Sequence, residues 1–306
     1  MRTQELALVI YTILVQMSVG AFVILGLIHF YALRKNGEKI ADQMSDYALL
    51  AIGPVVVAGV IISLLHLGNP ANAFRAISNL GTSWLSREIL FTLSFVAMGA
   101  IFAFLQWRKI GSFRMRQIIA LIAAALGLAL VFSMSQIYQL AAQPAWDSFA
   151  TPITFFITTF LLGGLAMGAA FTINYYYFKG KKDSGETDVQ RDMLRTVLQW
   201  IAIGSIILLG LHLVVIPLFV SQLAAGNASA IESASKLSTE YGVVFALRLA
   251  LVILGAGLFG LFLYRNALLK QERWMATFVI AAFSFVLAGE LLGRFLFYAI
   301  HVRIGI

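Results

Sequence analysis

The sequence predicts an all-α protein: an integral membrane bundle of eight transmembrane helices, with both termini on the periplasmic side. Three observations carry this. Of the 306 residues, 60% are hydrophobic and only 12% are charged, about half the ~25% charge typical of a soluble domain. The apolar residues fall into eight long runs with no period-two alternation, which points to helices rather than barrel strands. Lys and Arg crowd into alternate connections between those runs.

The runs are 6–33, 47–67, 89–107, 117–138, 151–178, 196–223, 241–264 and 274–300. Each approaches or exceeds the roughly 20 apolar residues that cross a bilayer. The first holds 28 residues without Asp, Glu, Lys or Arg, too long for a cleavable signal and therefore read as a span. The connections are short, so residues 1–306 form one transmembrane domain.

With the N-terminus outside, the connections 1–2, 3–4, 5–6 and 7–8 face the cytoplasm and hold 15 Lys and Arg residues, against 5 on the other side. An excess of basic residues on cytoplasmic loops is the rule for membrane topology, so the net charge of +8 carries no nucleic-acid signal. Trp84, Trp107, Trp146, Trp200 and Trp274 all lie near run ends or in a loop, as an interfacial aromatic belt requires. Glycines such as Gly163, Gly164, Gly168, Gly255, Gly257 and Gly260 allow close helix approach. There is no cysteine, which excludes disulfides, iron–sulfur ligation and thiolate zinc sites on this chain.

Ionisable residues inside a membrane are expensive and mark function or a paired network. His66 ends the second run in Leu65-His66-Leu67-Gly68-Asn69-Pro70, Arg75 follows it, and Arg87 and Glu88 open the third run. Arg248 lies in the seventh, and Glu290, Arg294 and His301 lie along the eighth. In the topology above they gather toward the periplasmic side. Glu290 and Arg294 are spaced i, i+4 and can pair on one helix face, so with Arg248 and His301 they read as a structural charge network. His29 reads as interfacial and His212, alone in mid-run, as a hydrogen-bonded core histidine. His66 and Glu88 are different: an imidazole and a carboxylate flank one short loop at the same depth.

That pair suits quinol chemistry. Oxidising a quinol releases two electrons and two protons. His66 can hydrogen-bond a ring oxygen or take a proton, Glu88 can accept and relay one, and Arg75 or Arg87 can tune the pocket. No metal ligands on this chain would hold the electrons, so they pass to a docked carrier. A membrane haem needs two histidines at matching depth within facing helices. His66 and His301 sit at run ends instead, which argues against haem.

The segments His66-Leu67-Gly68-Asn69-Pro70, Leu85-Ser86-Arg87-Glu88, Trp146-Asp147-Ser148 with Thr151-Pro152, Tyr241-Gly242 with Arg248, and Ala288-Gly289-Glu290-Leu291-Leu292-Gly293-Arg294 with His301 resemble the DMSO reductase membrane anchor subunit family, which supplies the membrane component of three-subunit molybdoenzyme complexes. The resemblance implies a quinone-reactive anchor in the bacterial inner membrane that binds menaquinol. It implies a four-cluster iron–sulfur subunit on the periplasmic face and a molybdopterin catalytic subunit beyond it. It places the quinol-site histidine and glutamate on His66 and Glu88, and it implies no haem. Relatives of this type also serve sulfite-oxidising complexes, where electrons enter the quinone pool. Two other classes stand beside this reading: a secondary transporter, which would show inverted repeats and interrupted helices, and a di-haem cytochrome b.

Overall fold

The computed structural model describes residues 3–64, 79–178, 184–269 and 274–305, and these are helical with no strand among them. The helices are α1 (Thr3–Asn36), α2 (Glu38–Leu64), α3 (Trp84–Arg108), α4 (Phe113–Ile137), α5 (Ala150–Phe178), α6 (Ser184–Ala224) and the short α7 (Ala228–Ser238). They are followed by α8 (Gly242–Val252), a π-helical turn (Ile253–Phe259) that continues into α9 (Gly260–Leu268), and α10 (Met275–Ala299).

Seven of the helical stretches among the described residues are long and apolar enough to cross a membrane, with α8, the π turn and α9 counted as one. They coincide with seven of the eight runs. The remaining run, 47–67, is represented by the shorter apolar section Ala51–Ser63 of α2, and its last residues lie outside the described ones.

The helix order is built around α1, whose apolar window is 72% buried, against 17% for α3 and for the span from Gly242 to Leu268. It packs on α2, α4, α5 and α10. The crossing of α1 and α5 is glycine on glycine. A Cβ on Gly20 would lie 1.9 Å from the Thr159 carbonyl oxygen, and one on Gly163 would lie 2.3 Å from the Gly20 backbone. Only hydrogen side chains permit that approach, and small residues are how membrane helices gain backbone contact without a hydrophobic drive. Around the crossing, Phe155, Leu161, Leu162 and Leu165 are fully buried. Outward-facing Leu27, Leu93, Phe104, Leu121, Ile207 and Val243 are exposed, an apolar girdle that suits lipid.

Local signals explain the ends. Ser83 and Ser112 cap α3 and α4 by accepting from the amides of Ser86 and Met115, as N-cap serines do. Two features exceed what the hydropathy pattern predicts. At 41 residues, α6 is about 60 Å long at 1.5 Å per residue, so its first turns project beyond a ~30 Å hydrocarbon core. The helix α7 falls inside a stretch read as a loop. Its Asn227 cap accepts from Ala230 N at 3.0 Å, and its buried Ala230 and Leu237 pack onto the ends of α6 and α10.

At the Lys- and Arg-rich end a polar clamp closes the bundle. Gln106 Nε2 donates to Asp42 Oδ1 at 2.7 Å and to Asp46 Oδ1 at 2.9 Å. Lys109 Nζ pairs with Asp42 Oδ2 at 2.7 Å and Asp46 Oδ2 at 3.0 Å. Arg116 reaches Glu38 at 2.9 Å, and His29 Nδ1 meets Ser45 Oγ at 2.9 Å. Gln106 is buried while the Lys109 side chain is 44% exposed, so the glutamine bonds are the ones shielded from water. Gln106→Leu is expected to destabilise the chain by about 1–3 kcal/mol, the usual penalty for stranding buried acceptors. Thermal unfolding in detergent should show the lowered midpoint, and Lys109→Ala should lower it less.

Candidate functional site

Glu88 sits one turn into α3 and turns inward to α1, where it is 8% exposed. Tyr11 Oη donates to Glu88 Oε1 at 3.0 Å, and Thr92 Oγ1 donates to the Glu88 carbonyl at 2.8 Å. The carboxyl is thus isolated from bulk water and held by a phenol, a geometry fitted to receive or release a proton. Its neighbour Arg87 points elsewhere. Arg87 Nε and Nη2 donate to the carbonyls of Leu80 and Gly81 at 2.9 and 2.8 Å, and the guanidinium lies 4.2 Å over the Trp84 ring. Arg87 therefore ties down the turn before α3. His66 and Arg75 lie outside the described residues.

Next to Glu88 stands an aromatic cap. The Tyr138 and Tyr298 hydroxyls are hydrogen-bonded to each other. Trp146 Nε1 donates to the Phe297 carbonyl at 2.7 Å, and the indole stacks on Phe297 at 5.6 Å and on His301 at 4.4 Å. His301, expected in the charge network, instead belongs to this cap and bonds the Tyr298 carbonyl through Nδ1.

The charged residues of the eighth and seventh runs find partners other than those their spacing suggests. Among the described residues no ion pair joins Glu290 to Arg294. Arg294 reaches across to α1, donating from Nη2 to Gln16 Oε1 at 2.8 Å, with its guanidinium 3.8 Å over the Phe155 ring. Gln16 in turn donates to the Phe155 carbonyl at 3.3 Å. Glu290 accepts from Thr158 Oγ1 at 2.6 Å and faces His212 Nδ1 at 3.7 Å. The other ring nitrogen of His212 lies 2.7 Å from Arg248 Nη2. The Arg248 guanidinium rests on Gly293, where a Cβ would come within 2.4 Å of its Nε.

Each charge is thus met by a different helix, which is why i, i+4 spacing misleads here. His212 is a bonded core histidine, as expected, yet its place in the network, like those of Gln16 and Thr158, has no signature in residue spacing. Among the described residues, no cluster of three His, Asp or Glu side chains could hold a metal ion.

The model of the DMSO reductase anchor subunit family matches residues 1–300. An anaerobic dimethyl sulfoxide reductase chain of Escherichia coli is 28% identical over 98% of this chain and 96% of its own length. A sulfite dehydrogenase subunit from Allochromatium vinosum is 29% identical over 49% of this chain and 48% of its own. Among solved structures, bd oxidase from Geobacillus thermodenitrificans superposes with a TM-score of 0.68, covering 96% of this chain and 84% of that one at 12% identity. At that identity the likeness concerns the fold alone.

Proposed function

Since this chain belongs to the DMSO reductase anchor subunit family, a family of membrane subunits, we propose that it is the quinone-reactive anchor of a molybdoenzyme complex. In this reading it crosses the inner membrane eight times with both termini in the periplasm. Menaquinol approaches from the bilayer at the end of the bundle that holds Glu88. His66 and Glu88 hydrogen-bond the ring oxygens and take the protons. The two electrons leave to a four-cluster iron–sulfur subunit docked on the periplasmic face, which feeds a molybdopterin catalytic subunit. Arg75 flanks the pocket, while Arg87 supports it by fixing the turn that presents Glu88.

The observation that carries this reading is the buried Glu88 carboxyl held by the Tyr11 hydroxyl. A proton acceptor shielded from water yet close to the bundle end is what a membrane-soluble reductant needs, because its protons must go to one group as its electrons go elsewhere. The half-chain match to a sulfite dehydrogenase subunit supports a second direction, in which a partner delivers electrons and the same pair protonates a quinone.

The test is the complex purified with its partners. Its extracted lipids should contain the quinone, and His66→Ala should abolish quinol-driven turnover while leaving the subunits assembled. Unchanged quinol-driven rates in that variant would remove His66 from the site.

A further inference from the structure

Four buried polar atoms converge between α5, α6, α8 and α10 without a hydrogen-bond partner: Glu290 Oε1, His212 Nδ1, Arg248 Nε and Arg294 Nε. Stranded polar atoms are rare in native interiors and demand an occupant or a purpose. Here their directions are legible. A guanidinium only donates, so Arg248 forces His212 Nε2 to accept. The ring hydrogen is then on Nδ1, aimed at Glu290 Oε1 across 3.7 Å, beyond the reach of a hydrogen bond. Arg248, Arg294 and Glu290, which carry two stranded donors and one stranded acceptor, line a common space.

That space is a cavity of about 80 Å³ lined by Glu290, Arg248 and Arg294 together with Thr154 and Thr158. Its far wall reaches Ala145, Leu237 and Ile300, which lie in the connection after α4, in α7 and beyond α10, at the same end of the bundle as Glu88. The size decides what fits. A water needs roughly 10–15 Å³ by such a measure, whereas a cavity that takes up benzene is about 150 Å³. Several waters fit, and a quinol ring does not. A water there lies beside the residues that carry the two arginine Nε–H groups and Glu290 Oε1, whereas His212 Nδ1 keeps only its 3.7 Å approach to Glu290.

We propose that this cavity is a water-filled proton-exchange site centred on Glu290, separate from Glu88 and communicating with the aqueous phase at the same end of the bundle. The groups facing Glu290 are Thr158 from α5, His212 from α6, Arg248 from α8 and Arg294 from its own helix; Gln16 of α1 holds Arg294 to one side. The two arginines balance the carboxylate, and the water gives its proton a way in and out. The site does not depend on the quinone reading, because its ligands are water and a proton.

The test is infrared difference spectroscopy of the full chain during a pH jump, in ordinary and heavy water. The expected result is a carboxyl C=O band that moves promptly on deuteration, vanishes in Glu290→Gln and persists in Glu88→Gln. Thr158→Val should shift that band without abolishing it, which identifies the band even if Glu290→Gln fails to fold. Thr154→Met, which fills the cavity, should leave the band but slow its deuteration. A band that resists deuteration in the unmodified chain, or no band sensitive to Glu290 and Thr158, overturns the proposal. Normal quinol-driven rates in the Glu88 variant would sink the quinone reading and leave this result untouched.

Discussion

Glu88→Gln is expected to lower quinol-driven turnover of the assembled complex by about 10²-fold or more, the usual contribution of a positioned proton acceptor. The amide keeps the size of the side chain and can still accept from Tyr11, whose hydroxyl lies 3.0 Å away, so folding and assembly should survive. What is lost is the ability to take a proton. Reduction of the terminal substrate from an artificial dye that feeds the iron–sulfur subunit directly should stay at the normal rate. Tyr11→Phe removes one hydrogen bond to the carboxylate and is expected to reduce quinol-driven turnover less than Glu88→Gln does, since the acceptor remains. If Glu88→Gln depressed dye-driven and quinol-driven rates together, the residue would be structural.

The second large effect is expected at the helix crossing. Gly163→Leu should prevent stable folding, or lower the unfolding midpoint in detergent by an amount matching several kcal/mol. Overpacking an ordinary core already costs about 1–3 kcal/mol, and here the new atoms meet backbone rather than a yielding side chain. A Cβ at Gly163 lies 2.4 Å from the Ala21 nitrogen as well as 2.3 Å from the Gly20 carbonyl carbon. Gly204→Ala provides the contrast. Nothing lies within 4 Å of that position, so the change should be neutral or mildly stabilising, as replacing an unconstrained helical glycine is. Equal destabilisation by the two substitutions would show that the crossing does not set the fold.

Much of this architecture is written in hydropathy, because burial in lipid imposes one rule on every span. Seven runs become helices within a few residues of their expected ends, apart from α6, whose first turns extend into charged residues such as Asp188 and Arg191 that no apolar window includes. The helix α7 escapes a search for apolar runs, since its eleven residues are rich in Ala and Ser and too weakly hydrophobic overall to stand out from a loop, although their few apolar residues do share one face. The candidate site was legible in part. Glu88 stands out as a candidate because a carboxylate at the start of a span is costly. Tyr11, Gln16 and Thr158 do not, because neutral hydrogen-bonding residues are common in membrane helices and their partners depend on how each helix is rotated. Glu290 and Arg294 show the same limit in reverse: their spacing was right for each other, and the packing offered each a better neighbour.

The π-helical turn from Ile253 to Phe259 separates the span from Gly242 to Leu268 into two halves with independent facing. A wider turn changes the angular phase of everything after it. The half carrying Arg248 can keep its guanidinium on Gly293 and His212 while the half carrying Leu263 and Asn266 meets α6 on its own terms. One end of a single helix can thus drift in evolution, or flex in operation, without dragging the buried cation at the other end out of alignment.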